Sequence, residues 1–162
     1  MRVAICSDIH DNIWKLEAAL PGMSQANALL FCGDFCAPFT LVQLARGFEG
    51  PIHAVLGNND GDQRLLLEKA NEAANITLHG QLAEIELGGL QFAINHYPDI
   101  ARGLAAGDSY DVVCYGHNHE LHQEQIGGTL LINPGEVMGR FGRSTYAILD
   151  TNDRSVTVYD VT

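Results

Sequence analysis

The stretch Tyr110–His122, YDVVCYGHNHELH, decides how the rest of the chain is read. An apolar run rich in β formers reaches Tyr115 and stops at Gly116. Two histidines follow, His117 and His119, either side of Asn118. A strand too apolar to have a wet face belongs inside a layered sheet, and such strands are usually parallel and covered by helices. An H-x-H pair alone says little. Its meaning depends on how the other strands end.

Working outward, they end alike. RVAICS (2–7) runs into Asp8 and His10, and ALLFCG (28–33) into Asp34. PIHAVLGNND (51–60) delivers Asn58 as it turns, and the strand ending AIN (93–95) delivers His96. In open α/β sheets, ligand crevices form outside the carboxyl ends of the strands. Each piece has a bland reading as a cap, turn or satisfied polar residue. Their recurrence at successive strand ends, in residue types that bind metals, argues against coincidence.

Between these ends the pattern is βαβαβα. DNIWKLEAAL is expected to be a helix capped by Asp11 or Asn12, with Ile13, Leu16 and Leu20 on one face and Pro21-Gly22 ending it. FTLVQLARGF and DQRLLLEKANEA are the next two helices. QLAEIELGGLQFAIN alternates apolar and polar around Gly88-Gly89, a hairpin with a period of two. PDIARGLAAG is a short helix, and two further hairpins turn at Gly127-Gly128 and near Asn152-Asp153. The expected fold is α/β: two mixed sheets packed face to face with helices outside, in a single domain spanning 1–162. No linker, repeat or low-complexity tract interrupts it.

The 162 residues suffice for a full core, with 46% hydrophobic and 18% charged side chains. A formal charge of −11 argues against a nucleic-acid backbone or an anionic membrane as main partner. The beginning, MRVAICSD, carries no signal-peptide core, and no apolar run has membrane-helix length. Of the four cysteines, three end apolar strands, where buried thiols commonly sit. Reduced structural thiols and a cytoplasmic home are expected.

Asp8, His10, Asp34, Asn58, His96, His117 and His119 offer imidazole nitrogen, carboxylate oxygen and one amide oxygen, with no obvious thiolate. Such a mixed set suits divalent Mn, Fe, Ni, Co or Zn better than Ca or Mg. It is too large for one tetrahedral ion with an open position. Two ions sharing a bridging carboxylate would use it, and Asp34, alone at its strand end, is the expected bridge. Two divalent cations against two carboxylates leave a positive pocket, where a phosphate would bind.

The ordered series D-x-H, G-D, G-N-x-D, a lone His after a strand, and G-H-x-H resembles the calcineurin-like metallophosphoesterase superfamily. The short length and INPGEVMGRFGRSTYAIL (132–149) resemble its compact bacterial and archaeal phosphodiesterases. The likeness runs from Ile5 to Leu149. It implies a β-sandwich flanked by helices, in four αββα layers. It also implies a first metal held by Asp8, His10, Asp34 and His119, and a second held by Asp34, Asn58, His96 and His117. Asn58, His96 and His117 are thereby candidate catalytic residues. The implied chemistry is hydrolysis of a small phosphodiester by in-line attack of a hydroxide bridging ions roughly 3.5–4 Å apart. Compact members are commonly dimers, so a homodimer is a further expectation.

Asn12 and Asp60 are candidates to orient the ligands. Many superfamily members carry a histidine where Asn59 stands, and it is thought to protonate the leaving group. Asn59 has no proton to give near neutral pH. Glu136 follows NPG, where small residues are more usual; it is free to narrow the mouth, repel anions or face solvent. Arg140 and Arg143 are candidates for phosphate contact, weighed against solvated loop charge. His53, His79 and His122 are read as structural, and Trp14 as core. Two other functions share these residues: a binding or scaffold protein that has lost turnover, and a phosphomonoesterase or nucleotide pyrophosphatase.

Overall fold

The computed structural model describes residues 1–162. Its first half alternates β1 (Arg2–Cys6), α1 (Ile13–Met23), β2 (Ala28–Phe31), α2 (Pro38–Gly47), β3 (Ile52–Ala54), α3 (Gln63–Glu72) and β4 (Ile76–Leu78). The second half holds β5 (Leu82–Leu87), β6 (Leu90–Asn95), α4 (Pro98–Ala106), β7 (Val112–Cys114), β8 (Leu121–Ile126), β9 (Thr129–Pro134), β10 (Thr145–Asp150) and β11 (Val156–Asp160).

One sheet has six strands in the order β11-β10-β1-β2-β3-β4, the other five in the order β5-β6-β7-β9-β8. Strands β1 to β4 pair in parallel, while β1–β10 and β10–β11 are antiparallel. In the second sheet β6–β7 and β7–β9 are parallel, and β5–β6 and β8–β9 are the antiparallel hairpins. Both sheets are therefore mixed, as expected.

The pleat of period two sorts side chains into layers. Along β1, Val3 and Ile5 face the second sheet and pack with Phe92, Ile94, Val112, Cys114, Leu130 and Ile132. Ala4 and Cys6 face the other way, into a core with Leu16, Leu41, Leu44 and Leu66 from α1, α2 and α3. A third cluster joins Ala101 and Ala105 of α4 to Ala93, Val113 and Leu131. The result is four layers, αββα. Each fully buried Leu, Ile or Phe contributes about 1.5–3 kcal/mol by leaving water.

Three local expectations are corrected. Helix α1 does not stop at Pro21-Gly22 but runs to Met23, with Pro21 inside its last turn. Leu20 and the fully buried Met23 are packed into the core, which holds that turn against the sheet. Trp14 is not core: it is 74% exposed. It lies two residues, about 200°, from Leu16 around the helix, so it faces away from the buried stripe. Strand β4 adds an edge where no strand is expected, because three residues show no period. Asn12, rather than Asp11, caps α1, accepting from Lys15 N at 3.2 Å. Asp11 instead accepts from Ala37 N (2.9 Å) and Thr40 Oγ1 (2.5 Å), capping α2 from 26 residues away.

Candidate metal centre

Asp8, Asp34, Asn58, His96 and His117 leave the carboxyl ends of β1, β2, β3, β6 and β7, so the topology brings them to one edge of the sandwich. The turns are tight. Asp8, His10, Asp34, His117 and His119 all have positive φ, between 45° and 74°. Non-glycine residues seldom adopt that conformation, Asp, Asn and His being the more tolerant types, and such strain gathers at functional sites. Two glycines make room. A side-chain carbon at Gly57 would collide with the Asp34 carboxylate, and one at Gly116 with Ser7 Oγ and Asp8 Oδ2.

The structure brings all seven ligand candidates into one connected cluster. Asp8 Oδ1 lies 3.6 Å from His10 Nε2 and 3.5 Å from His119 Nε2. Asp34 Oδ2 lies 3.4 Å from His10 Nε2 and 3.3 Å from His96 Nε2, so it sits between two imidazoles. Asn58 Oδ1 lies 3.0 Å from His96 Nε2 and 2.8 Å from His117 Nδ1. Asp8, His10 and His119 form one group that could grip an ion; Asp8, Asp34 and His96 form another. Asp8 is common to both, while Asp34 spans His10 and His96.

The polarity of the cluster fits cations. His96 Nδ1 faces the Cys32 carbonyl at 2.7 Å, and a carbonyl only accepts, so Nδ1 carries the proton. Nε2 of the neutral ring then aims its lone pair at the oxygens of Asn58 and Asp34. Asp8 Oδ1 and His10 Nε2 are buried with no hydrogen-bond partner. Buried polar atoms without partners, and the lone pairs that converge at His96 Nε2, are costly unless a positive charge lies among them. Protonation supplies that charge without metal. Burial pulls the His10 imidazole down, but Asp8 and Asp34 reverse this and raise it. Burial likewise opposes protonation of His96, and Asp34 and Asp8 raise it. Burial would raise the Asp34 carboxyl, but His96 and Asn59 outweigh it and hold it at about 2. A divalent ion would supply the charge at neutral pH with the histidines neutral.

The surrounding candidates divide. Asn59 donates to both oxygens of Asp34, from its backbone N to Oδ1 and from Nδ2 to Oδ2, each at 2.8 Å. Asp60 accepts from Asp34 N (3.1 Å), Gly57 N (2.7 Å) and Cys36 N (2.9 Å), fastening the loop after β2 to the loop after β3. The Asn12 side chain hydrogen-bonds to Met138 O (2.9 Å) and Lys15 N (3.2 Å) rather than to a ligand candidate. Arg143 forks onto Asp160 at 2.8 and 2.9 Å, which leaves it a paired surface charge. Arg140 lies over the Phe141 ring, 5.3 Å from its centre. Of the other histidines, His53 Nδ1 meets His79 Nε2 at 3.0 Å and His122 Nδ1 meets Tyr115 Oη at 2.9 Å, all outside the cluster.

Glu136 neither faces solvent nor narrows a mouth: it is fully buried, and its Oε2 lies 2.7 Å from His119 Nδ1. Two neighbours carried no signal in the sequence. Cys36 Sγ lies 3.5 Å from His10 Nδ1, and the Phe141 ring stands edge-on to His119 at 5.1 Å. Both contacts depend on how loops pass one another, which no local pattern encodes.

Residues 1–154 match the family model for the calcineurin-like phosphoesterase superfamily domain. The chain belongs to that superfamily. Within it, the chain is 31% identical over 159 residues to the phosphodiesterase MJ0936 of Methanocaldococcus jannaschii, covering 95% of each. It is 32% identical over 165 residues to the probable metallophosphoesterase YsnB of Bacillus subtilis, covering 98% of this chain and 89% of that one. A solved archaeal phosphodiesterase superposes with a TM-score of 0.92 at 30% identity over 99% of both chains. The Vps29 protein of Entamoeba histolytica, solved with zinc, shares the fold alone, with a TM-score of 0.70 at 20% identity over 99% of this chain and 91% of that one. As a member of a metal-dependent phosphoesterase superfamily, the protein carries its candidate metal ligands at the strand ends where the sandwich opens.

Proposed function

We propose that this chain is a phosphodiesterase that uses two divalent ions, Mn²⁺, Ni²⁺, Fe²⁺, Co²⁺ or Zn²⁺, held in the cluster described above. The observation that carries the proposal is the convergence of polar atoms without partners: Asp8 Oδ1 and His10 Nε2 have none, and the His96 lone pair faces two oxygens. Asp8, His10, Asp34 and His119 would hold one ion; Asp34, Asn58, His96 and His117 the other. When bound, such ions acidify water to a nucleophile and neutralise charge building on phosphoryl oxygens.

The chain's own residues do the positioning. Cys32 O fixes the tautomer of His96, and Asn59 aligns both oxygens of Asp34. Asp60 holds the backbone of Asp34 and Gly57 in register. Asn59 is bound to Asp34 and its amide has no acidic proton to give, so the leaving group would take its proton from solvent. The substrate is a small phosphodiester, and nucleic acid as main partner is disfavoured by the −11 charge. No helix is long and apolar enough to cross a membrane.

The test is hydrolysis of an activated aryl phosphodiester after chelation and after return of Mn²⁺ or Ni²⁺, for wild type and His117→Ala. Turnover should vanish with chelation, return with metal, and drop at least about 100-fold in the variant. No metal-dependent turnover with any of the five metals, in protein that binds them, favours a scaffold. Faster cleavage of the matching monoester favours a phosphomonoesterase.

A further inference from the structure

The segment from Gly135 to Ser144 carries a buried carboxylate that the proposed chemistry does not use. Glu136 is fully buried, with Oε2 2.7 Å from His119 Nδ1. Its Oε1 accepts from Phe141 N at 2.6 Å and Gly142 N at 3.1 Å. The same segment is fastened to the end of β1, where Val137 N donates to Ser7 O and Met138 N to Asp8 O, each at 3.0 Å. Phe141 is 69% exposed, yet its ring edge abuts His119. One carboxylate thus joins an imidazole of the metal cluster to a solvent-facing turn beside it.

We infer that Glu136 is a positioning residue that locks the His119 tautomer and the Phe141–Gly142 turn together, so that each stabilises the other. This rests on the reading of His119 as a metal ligand. With two backbone donors on Oε1, the carboxylate acts as acceptor toward His119. Nδ1 therefore keeps its proton and Nε2 keeps a lone pair toward Asp8 Oδ1. Cys32 O does the same for His96. Only Glu136 also holds a loop: without it, His119 loses its acceptor and two backbone N–H groups lose theirs. Because coupling is reciprocal, loosening the imidazole loosens the turn.

The test uses the full chain, metal-free and metal-loaded. Nitrogen-15 NMR of metal-free wild type should show His119 protonated on Nδ1, and Glu136→Ala should mix or invert the tautomer. Trypsin reads the turn at Arg140. Cleavage there should speed up about fivefold or more in Glu136→Ala and also in His119→Ala, where Glu136 itself is intact. Calorimetric titration with Mn²⁺ should show one ion bound about 10–100-fold more weakly in Glu136→Ala. Glu136→Gln, nearly isosteric, keeps its oxygen for Phe141 N and Gly142 N and turns its amide N–H toward Nδ1, so it should keep cleavage at Arg140 slow yet move the His119 proton to Nε2; it also serves if the alanine variant does not fold. An unchanged tautomer in Glu136→Ala, or unchanged cleavage at Arg140 in His119→Ala, overturns the inference. A wild type that binds no metal overturns the proposed function instead, and the two metal-free readouts still judge Glu136.

Discussion

Replacing Asp60 by alanine should cost more stability than replacing any of the metal-ligand candidates it supports, because it strands three buried donors at once. Asp34 N, Gly57 N and Cys36 N all end on its carboxylate, and the side chain is buried. A buried N–H left without an acceptor costs about 1–3 kcal/mol, so the gross loss is about 3–9 kcal/mol. Two effects reduce it. Water can enter from the nearby surface, and the cost of burying the carboxylate disappears. That cost is real: burial raises the Asp60 carboxyl despite the three N–H groups that pull it down. A net loss of about 2–4 kcal/mol remains, a large part of the ~5–15 kcal/mol typical of a domain. With a urea slope of about 2 kcal/mol per molar, the midpoint of the metal-free protein should fall by about 1–2 M. Asp60→Asn keeps one oxygen, which can serve Gly57 and Asp34 while its amide faces Cys36 N, so it should lose about half as much. The assay is equilibrium urea unfolding followed by circular dichroism on chelated protein. A shift in Asp60→Ala below about 0.5 kcal/mol would show that the three hydrogen bonds do not hold these loops, and the reasoning would fail.

Other consequences follow from the same geometry. With Asn59, which has no proton to give near neutral pH, bound to Asp34, rates across a series of aryl phosphodiesters should fall steeply as leaving-group pKa rises; a flat series contradicts the assignment. Gly57→Ala should push the Asp34 carboxylate aside and lower metal affinity at least about tenfold, read by Mn²⁺ titration, and wild-type affinity would count against the close approach. Asp34 is held at about 2 against an ordinary 3.8, so its contribution to metal-free stability is present above about 4 and lost as pH falls toward 2. Asp34→Asn should flatten the acid side of the stability profile over that window; an unchanged slope refutes the shift. His53 and His79 are both pushed down, by burial and, for His53, by its neighbour as well. A depressed imidazole is neutral when folded, so stability should be full above about 6.5 and decline below it. Substituting both with glutamine should shrink that decline in urea titrations at successive pH values.

The sequence conveyed much of this because the informative patterns are local. Alternation over 82–95 reports a hairpin, and Glu84 pairs with Ala93 and Ile85 with Phe92, but only β5 keeps a wet face: β6 is buried on both sides from Phe92 to Asn95, with α4 packed on Ala93. Apolar runs at Val3–Cys6 and Val112–Cys114 report strands buried on both sides, and every residue in them is buried. The order of Asp, Asn and His after successive strands carries the family likeness, since backbone turns and ligand types sit within a few residues of each other. Three residues of β4 are too few to show a period. The facing of Trp14 turned on which helix stripe met the sheet.

What the chain alone determined is the layer architecture and the roll of side chains able to grip a cation, because periodicity and strand-end chemistry are written in neighbouring residues. What only the folded molecule decided is how those side chains are oriented. His96 is set by a carbonyl 64 residues away, and Asp34 by Asn59 and Asp60 across a loop. His119 is set by Glu136 from the far side of a hairpin. Each is a hydrogen bond between segments distant along the chain: the first spans the two sheets, the others join loops that follow neighbouring strands of one sheet, and each partner arrives only once those strands have assembled.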